Sequence, residues 1–335
     1  HLLALGRYCR ELGMRNRIGF FLHIPFPATE VFKVIPPHQA LAHAMCTYDV
    51  VGFQTASDAR AFSDYCVQSL GAEREAGGLR ITERRVRVGT YPIGIDVDDV
   101  VAMARQKRSR QLASLKSGLA DGKLIISVDR LDYSKGILER FAAFEQLLEI
   151  EPADRGEVSF VQLAPPSRSD VQGYREIRRE LDRAAGRING KWGELGWAPL
   201  RYITRAYERA TLMPLLRAAQ VGLVTPLRDG MNLVAKEYIA AQSPDDPGVL
   251  VLSQFAGAAR EMEEGALIVN PYDTEGMART LNRALHMPLA ERIDRYGSLM
   301  QGLRTHDLAA WKSRFLADLR GTVAPAASEP PALSA

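Results

Sequence analysis

Val221-Gly222-Leu223-Val224-Thr225-Pro226-Leu227-Arg228-Asp229-Gly230-Met231-Asn232-Leu233-Val234-Ala235-Lys236-Glu237-Tyr238 reads as a buried strand, a polar turn and the first turns of a helix. The apolar run from Val221 to Val224 stops at Pro226, which cannot donate to a sheet ladder. Asp229 and Gly230 supply the turn. Asn232 stands before the helical run and suits an N-cap, its side chain accepting from the first free amides. A strand, a Gly-containing turn and a helix start form a natural anion site, because free N–H groups and the helix dipole point at the turn. Glu237 falls within the first two turns, where a carboxylate can accept from a diol such as a ribose beside a bound phosphate. The same spacing also fits an ordinary βα unit with a solvated glutamate.

The pattern repeats outward from this stretch. Strands are expected at 18–22, 50–54, 86–88, 124–128, 158–163, 221–225, 249–253 and 266–269. Helical patterns lie between them, as at 137–150, where Ile137, Phe141, Phe144 and Leu148 recur at helical spacing. This alternation predicts an α/β protein with parallel, doubly wound sheets, whose ligands bind beyond the carboxyl ends of the strands. A domain break is expected after Tyr91-Pro92-Ile93-Gly94-Ile95-Asp96, followed by a charged helical segment at 98–123. A last helix at 307–320 carries Leu308, Trp311, Phe315 and Leu319 on one face. Residues 322–335, rich in Ala, Pro and Ser, read as a disordered tail.

Composition narrows the function. Apolar residues make up 46% and charged residues 25% of 335, ordinary for a globular protein of one or two domains. A net charge of +3, with no basic stripe interleaved with aromatics, gives no reason to expect nucleic acid. No apolar run approaches the about 18 residues of a membrane span. Cys9, Cys46 and Cys66 lack metal-ligand spacing and read as reduced thiols of a cytoplasmic protein. Residue 1 is His, and no signal peptide is visible. The chain reads as an α/β domain entered after its first strands.

A second phosphate-site candidate is Ser127-Val128-Asp129-Arg130-Leu131-Asp132-Tyr133-Ser134-Lys135-Gly136, between an expected strand and the 137–150 helix. An arginine grips a phosphate through two parallel hydrogen bonds, whereas a lysine acts as a point charge. Arg130 and Lys135 can equally pair with Asp129 and Asp132 in a solvated turn. The loop lacks the spacing of a P-loop. His23, in Leu22-His23-Ile24-Pro25-Phe26-Pro27, ends a strand ahead of a loop stiffened by two prolines. It can donate to a sugar hydroxyl or serve in acid–base work, or be a satisfied structural residue. Ser253-Gln254-Phe255-Ala256-Gly257-Ala258-Ala259 permits close backbone approach to a ligand, or plain helix–sheet packing. Arg168 follows a strand and can reach an anion, or lie free on the surface. No metal motif, serine-hydrolase elbow or dinucleotide fingerprint is present.

Together these segments resemble the trehalose-6-phosphate synthase family, retaining glucosyltransferases of GT-B architecture. The resemblance rests on His23-Ile24-Pro25-Phe26-Pro27, Val51-Gly52-Phe53-Gln54-Thr55, Tyr91-Pro92-Ile93-Gly94-Ile95, Arg130-Leu131-Asp132-Tyr133-Ser134-Lys135-Gly136 and Ala185-Gly186-Arg187-Ile188-Asn189-Gly190. It continues through the run from Arg228 to Glu237, the Ser253 to Ala258 stretch and Asn270-Pro271-Tyr272-Asp273. The motifs keep the family's order up to about residue 320.

The resemblance implies two doubly wound Rossmann-like domains, the N-terminal one incomplete. They comprise 1–100 on the acceptor side and 101–302 on the donor side, with a helix at 303–320 packing back on the first and a tail at 321–335. It implies transfer of glucose from UDP-glucose to glucose 6-phosphate, giving α,α-trehalose 6-phosphate and UDP with retention. Arg130 and Lys135 then hold the donor pyrophosphate and stabilise the leaving UDP. Backbone groups of Leu233, Val234, Ala235 and Lys236 meet the nucleotide, and Glu237 takes the ribose hydroxyls. Tyr207 falls at the uridine, His23 and Asp229 face the donor glucose, and Arg168 grips the acceptor phosphate. No cofactor and no metal is implied.

The family is cytoplasmic, can form homo-oligomers, and passes its product to a separate phosphatase; the product points to a role in osmotic or desiccation stress. The chain opens after the family's glycine loop and most of its acceptor-site residues, so the expectation is weak or no catalysis by this chain alone. Three alternatives stand beside this reading: a glucosylglycerol-phosphate synthase-like transferase, a non-catalytic nucleotide-binding homologue, and a nicotinamide oxidoreductase supported by fold pattern alone.

Overall fold

The computed structural model describes residues 2–106, 122–167 and 172–321. Arg168, the 107–121 portion of the expected charged helix and the expected tail at 322–335 lie outside the described residues. The chain divides into two compact units. One holds the described residues up to Pro92 and those from Ala309 onward, and the other is Ile93–Leu308.

The first unit is built on β1 (Gly19–Leu22), β2 (Val50–Phe53), β3 (Glu73–Glu75), β4 (Gly78–Ile81) and β5 (Arg84–Thr90). Their order is β1-β2-β5-β4-β3. The β1–β2 and β2–β5 pairs are parallel, as the doubly wound pattern predicts. The β3–β4 and β4–β5 pairs are antiparallel, so this sheet is mixed. The hairpin is hard to read in sequence because its residues are charged: Glu73-Arg74-Glu75 forms an edge facing water, and such edges carry charge rather than apolar runs. Val51, Phe53, Phe62, Tyr65, Leu79 and Val86 form the core beneath it.

The last helix, Leu308–Arg320, contributes to this unit from Ala309 on. Phe315 packs its ring against Phe21 and Tyr91, and Trp311 stacks on Phe315. Trp311 Nε1 donates to the Tyr91 carbonyl at 3.1 Å.

The second unit is built on β6 (Lys123–Val128), β7 (Val158–Leu163), β8 (Leu200–Ile203), β9 (Val221–Val224), β10 (Val249–Ser253) and β11 (Leu267–Val269), all parallel. The order β11-β10-β9-β6-β7-β8 means that the chain builds one half of the sheet outward from β6, then returns beside β6 to build the other. Loops leaving β6 and β9 therefore run to opposite sides, opening a crevice at their carboxyl ends. Alternate residues of one strand feed two cores: Leu124 and Ile126 join one face, and Ile125 joins the other. Burial on both faces is why these strands read as continuous apolar runs.

Candidate functional site

The loop after β6 is folded by its own polar side chains. Asp132 Oδ1 accepts from the Ser134 amide at 2.9 Å and from its hydroxyl at 2.8 Å, a turn local to the side chain. The Tyr174 hydroxyl donates to Asp132 Oδ2 at 2.9 Å. Although burial works against the charged form, these donors and the nearby Lys135 hold the Asp132 carboxyl below its usual range. Gly136 closes the loop at φ 65°, and a Cβ there would stand 2.4 Å from the Thr225 carbonyl oxygen. Only glycine accepts both the left-handed backbone and the contact.

The loop after β9 docks on this one through backbone bonds. The Leu227 amide donates to the Ser134 carbonyl at 2.8 Å. Farther along, the Asp229 amide donates to the Phe255 carbonyl at 3.2 Å, and Gly257 donates to the Asp229 carbonyl at 3.1 Å. A Cβ on Gly257 would lie 1.8 Å from the Gly230 carbonyl oxygen. The small residues at 256–259 thus permit close approach between two protein loops.

These loops bring Lys135 and Asp229 together. Lys135 Nζ lies 2.6 Å from Asp229 Oδ2 and 3.9 Å from Asp129 Oδ1. Asn232 Nδ2 donates to the same Asp229 oxygen at 3.1 Å. Arg130 is exposed and makes no ion pair among the described residues. The solvated-turn alternative, with Asp129 and Asp132 paired to both cations, does not describe the loop.

Behind the loop lies Arg140, fully buried. Its Nε donates to Thr225 Oγ1 at 2.9 Å, and its Nη1 to Ser127 Oγ at 2.5 Å, Asp129 Oδ2 at 2.6 Å and Gln162 Oε1 at 3.2 Å. Nη2 donates to the Lys135 carbonyl at 2.6 Å. Sequence reading passed over Arg140, yet a signal was there. It sits three residues after Ile137 and four before Phe144, on the apolar stripe of the helix Ile137–Ile150, where a cation requires partners.

The helix Leu233–Ala241 begins at Asn232, but not with the expected cap. Asn232 adopts φ 78°, makes no side-chain cap bond, and turns its amide to Asp229 instead. The first amides of the helix, at Leu233, Val234 and Ala235, have no intrahelical acceptor. The Lys236 side chain turns inward, 1% exposed, donating to Glu261 Oε2 at 2.6 Å and to the Ile93 carbonyl at 2.9 Å. That side chain is therefore committed within the protein.

Glu237 is mostly buried, and burial raises its pKa against the opposing pull of Arg209. Arg209 Nη2 and Nε both donate to Glu237 Oε1, at 2.9 and 3.2 Å. The second carboxylate oxygen is outside this pair. Arg209 was not foreseen, since nothing local in sequence links it to Glu237. Tyr207 packs half-buried against the core under the sheet, with the Arg205 guanidinium 5.8 Å from its ring. His23 lies in the first unit, exposed at the end of β1, its ring edge-on to Phe21 at 4.8 Å.

Comparison with known proteins gives a consistent answer. The profile of glycosyltransferase family 20 matches residues 1–321. The trehalose-6-phosphate synthase of Klebsiella pneumoniae is 52% identical over 326 residues, spanning 96% of this chain and 68% of that protein. A crystal structure of the UDP-forming α,α-trehalose-phosphate synthase of Burkholderia xenovorans in complex with glucose-6-phosphate superposes with a TM-score of 0.93. It is 52% identical, covering 96% of this chain and 72% of that one. An E. coli structure bound with UDP-2-fluoro glucose gives 0.93 at 49% identity, over 96% and 72% of the respective chains.

Proposed function

The chain belongs to glycosyltransferase family 20, and we propose that it transfers glucose from UDP-glucose to glucose 6-phosphate, forming α,α-trehalose 6-phosphate and UDP. The observation that carries this reading is the Lys135–Asp229 contact at 2.6 Å across the crevice where the strand order reverses. A cation and a helix N-terminus face the place where a diphosphate binds in such sheets. Arg130 and Lys135 are assigned to the diphosphate, Glu237 to the ribose diol, Tyr207 to the uridine, and backbone groups from Leu233 to Lys236 to the nucleotide. Asp229 and His23 are assigned to the donor glucose and Arg168 to the acceptor phosphate.

The chemistry these residues support needs no protein nucleophile. The acceptor hydroxyl attacks the anomeric carbon on the face from which UDP departs. The C1–oxygen bond to phosphate breaks as the new one forms, and the hydroxyl proton passes to the departing phosphate oxygen. Charge grows on the diphosphate, and cations fixed beside it lower the barrier. Both substrates are charged metabolites that do not cross membranes unaided, which supports a cytoplasmic setting. Among the described residues no helix is long and apolar enough to cross a membrane. The product is a phosphate monoester, a class of bond this site is not built to cleave, which supports a separate phosphatase.

Calorimetric titration of UDP tests the reading. The folded parent binds UDP, and Arg130→Ala weakens binding roughly 10-fold to 100-fold, the worth of a charged hydrogen bond. A folded parent that ignores UDP would overturn it.

A further inference from the structure

We infer that Arg140 is a positioning residue for the donor diphosphate, acting through Lys135; this rests on the donor-site reading above. A guanidinium with no exposure has lost all its hydration, a cost that packing alone does not recover. An apolar side chain would satisfy the helix Ile137–Ile150 at that position, which otherwise presents Ile137, Phe141 and Phe144 to the core. What the arginine adds is a planar fork of donors. It ties together Ser127 and Asp129 at the end of β6, Gln162 in β7, Thr225 after β9 and the Lys135 carbonyl.

Two consequences follow for Lys135. Its backbone is held between the Asp132 turn on one side and Gly136 on the other, with its carbonyl fixed by Arg140 Nη2 at 2.6 Å. Its charge is also protected. Asp129 lies 3.9 Å from Lys135 Nζ but 2.6 Å from Arg140 Nη1, so its negative charge is met by the buried guanidinium. Lys135 then makes its one short ion pair among the described residues with Asp229, and can turn from it to an incoming diphosphate. A lysine at 140 would keep the charge but not the fork, because an ammonium is a single point on a flexible stem.

The test titrates UDP and uridine separately into the parent, Arg140→Lys, Lys135→Ala and the double variant, with circular dichroism confirming the fold of each. Arg140→Lys is expected to weaken UDP roughly 10-fold to 100-fold while uridine stays within about twofold, since uridine has no phosphate to position. In the Lys135→Ala background the same change is expected to cost less than about threefold, because the residue it acts through is gone. Equal UDP affinity in parent and Arg140→Lys overturns the inference, as does equal loss of UDP and uridine, or an undiminished effect in the Lys135→Ala background. A folded parent that binds no UDP overturns the donor-site reading and this inference with it, a signature separate from those. Should Arg140→Lys fail to fold, Thr225→Val removes the acceptor of Nε with a side chain close in shape. It is expected to weaken UDP about threefold to tenfold with uridine unchanged, and unchanged UDP affinity overturns the inference.

Discussion

Lys135 Nζ and Asp229 Oδ2 stand 2.6 Å apart, one on the loop after β6 and the other on the loop after β9. The pair spans the crevice between the two loops, and its members respond oppositely to a diphosphate. Lys135 attracts it and Asp229 repels it. Lys135→Ala is expected to weaken UDP by about 10-fold to 100-fold, and Asp229→Asn to tighten it by about threefold to tenfold. Turnover of UDP-glucose should nonetheless fall in Asp229→Asn, because the carboxylate is assigned to the sugar. Calorimetry with UDP checks both signs, and weaker UDP binding in Asp229→Asn would remove Asp229 from its place beside the diphosphate.

Glu237 gives the site a pH dependence. Burial raises its pKa, while a ribose diol needs the carboxylate as acceptor. UDP affinity should therefore decline on acidification at a higher pH than an ordinary glutamate sets, and the decline should vanish for 2′-deoxy-UDP or in Glu237→Gln. The stability sign is the reverse. A folded pKa above the unfolded one contributes stability that is fully present below the unfolded value and is lost as pH rises through the folded value. Glu237→Gln should thus lose the rise in stability that the parent shows on acidification through that window. Thermal midpoints of both proteins at a series of pH values supply the measurement.

The readable parts of the fold and the unreadable ones differ for physical reasons. Val158–Leu163 and Val249–Ser253 are legible to the residue because both lie inside a sheet buried on two faces. Ile137–Ile150 is legible because its apolar residues recur every three or four positions. Leu200–Ile203 escapes notice as Leu-Arg-Tyr-Ile, a short edge strand that carries a charge. In the site, sequence locates side chains at strand ends but not their partners. Asn232 looks like a cap because of its type and place, whereas its backbone goes left-handed and its amide serves Asp229. Arg140 and Arg209 act on residues far along the chain, Thr225 and Glu237, and such pairings are set by topology.

The first unit is fastened by a buried carboxylate. Asp318 Oδ2 accepts from the Tyr91 hydroxyl at 2.6 Å and from Arg87 Nε at 2.8 Å. Burial and the adjacent carboxylate push the Tyr91 phenol well above its usual pKa. Asp318→Ala is expected to cost about 1.5–3 kcal/mol in urea unfolding, discounted because Arg87 is half exposed, and Tyr91→Phe about 1 kcal/mol. The double variant should cost less than the sum, since the two share one bond. Additive losses would show that Asp318 acts through Arg87 alone.

Gly257 and Gly297 separate a glycine that geometry demands from one that it does not. A Cβ at Gly257 would lie 1.8 Å from the Gly230 carbonyl oxygen, and a backbone atom cannot swing aside. Gly257→Ala must push the Asp229–Gly230 turn away from the 253–259 loop. That breaks the bonds between Asp229 and Phe255 and between Gly257 and Asp229. The expected cost is about 2–4 kcal/mol of stability, within the range for overpacking joined to lost hydrogen bonds, with UDP binding altered because Asp229 moves. Gly297 lies exposed inside the helix Leu289–Thr305, with nothing within 4 Å of a built Cβ. Alanine there only removes the entropy cost of glycine in a helix, so Gly297→Ala should stabilise by about 0.5–1 kcal/mol and leave UDP affinity untouched. Urea midpoints and UDP titrations on the two variants decide the matter. A stable, UDP-binding Gly257→Ala would mean that the two loops are not packed as tightly as their backbone contact requires.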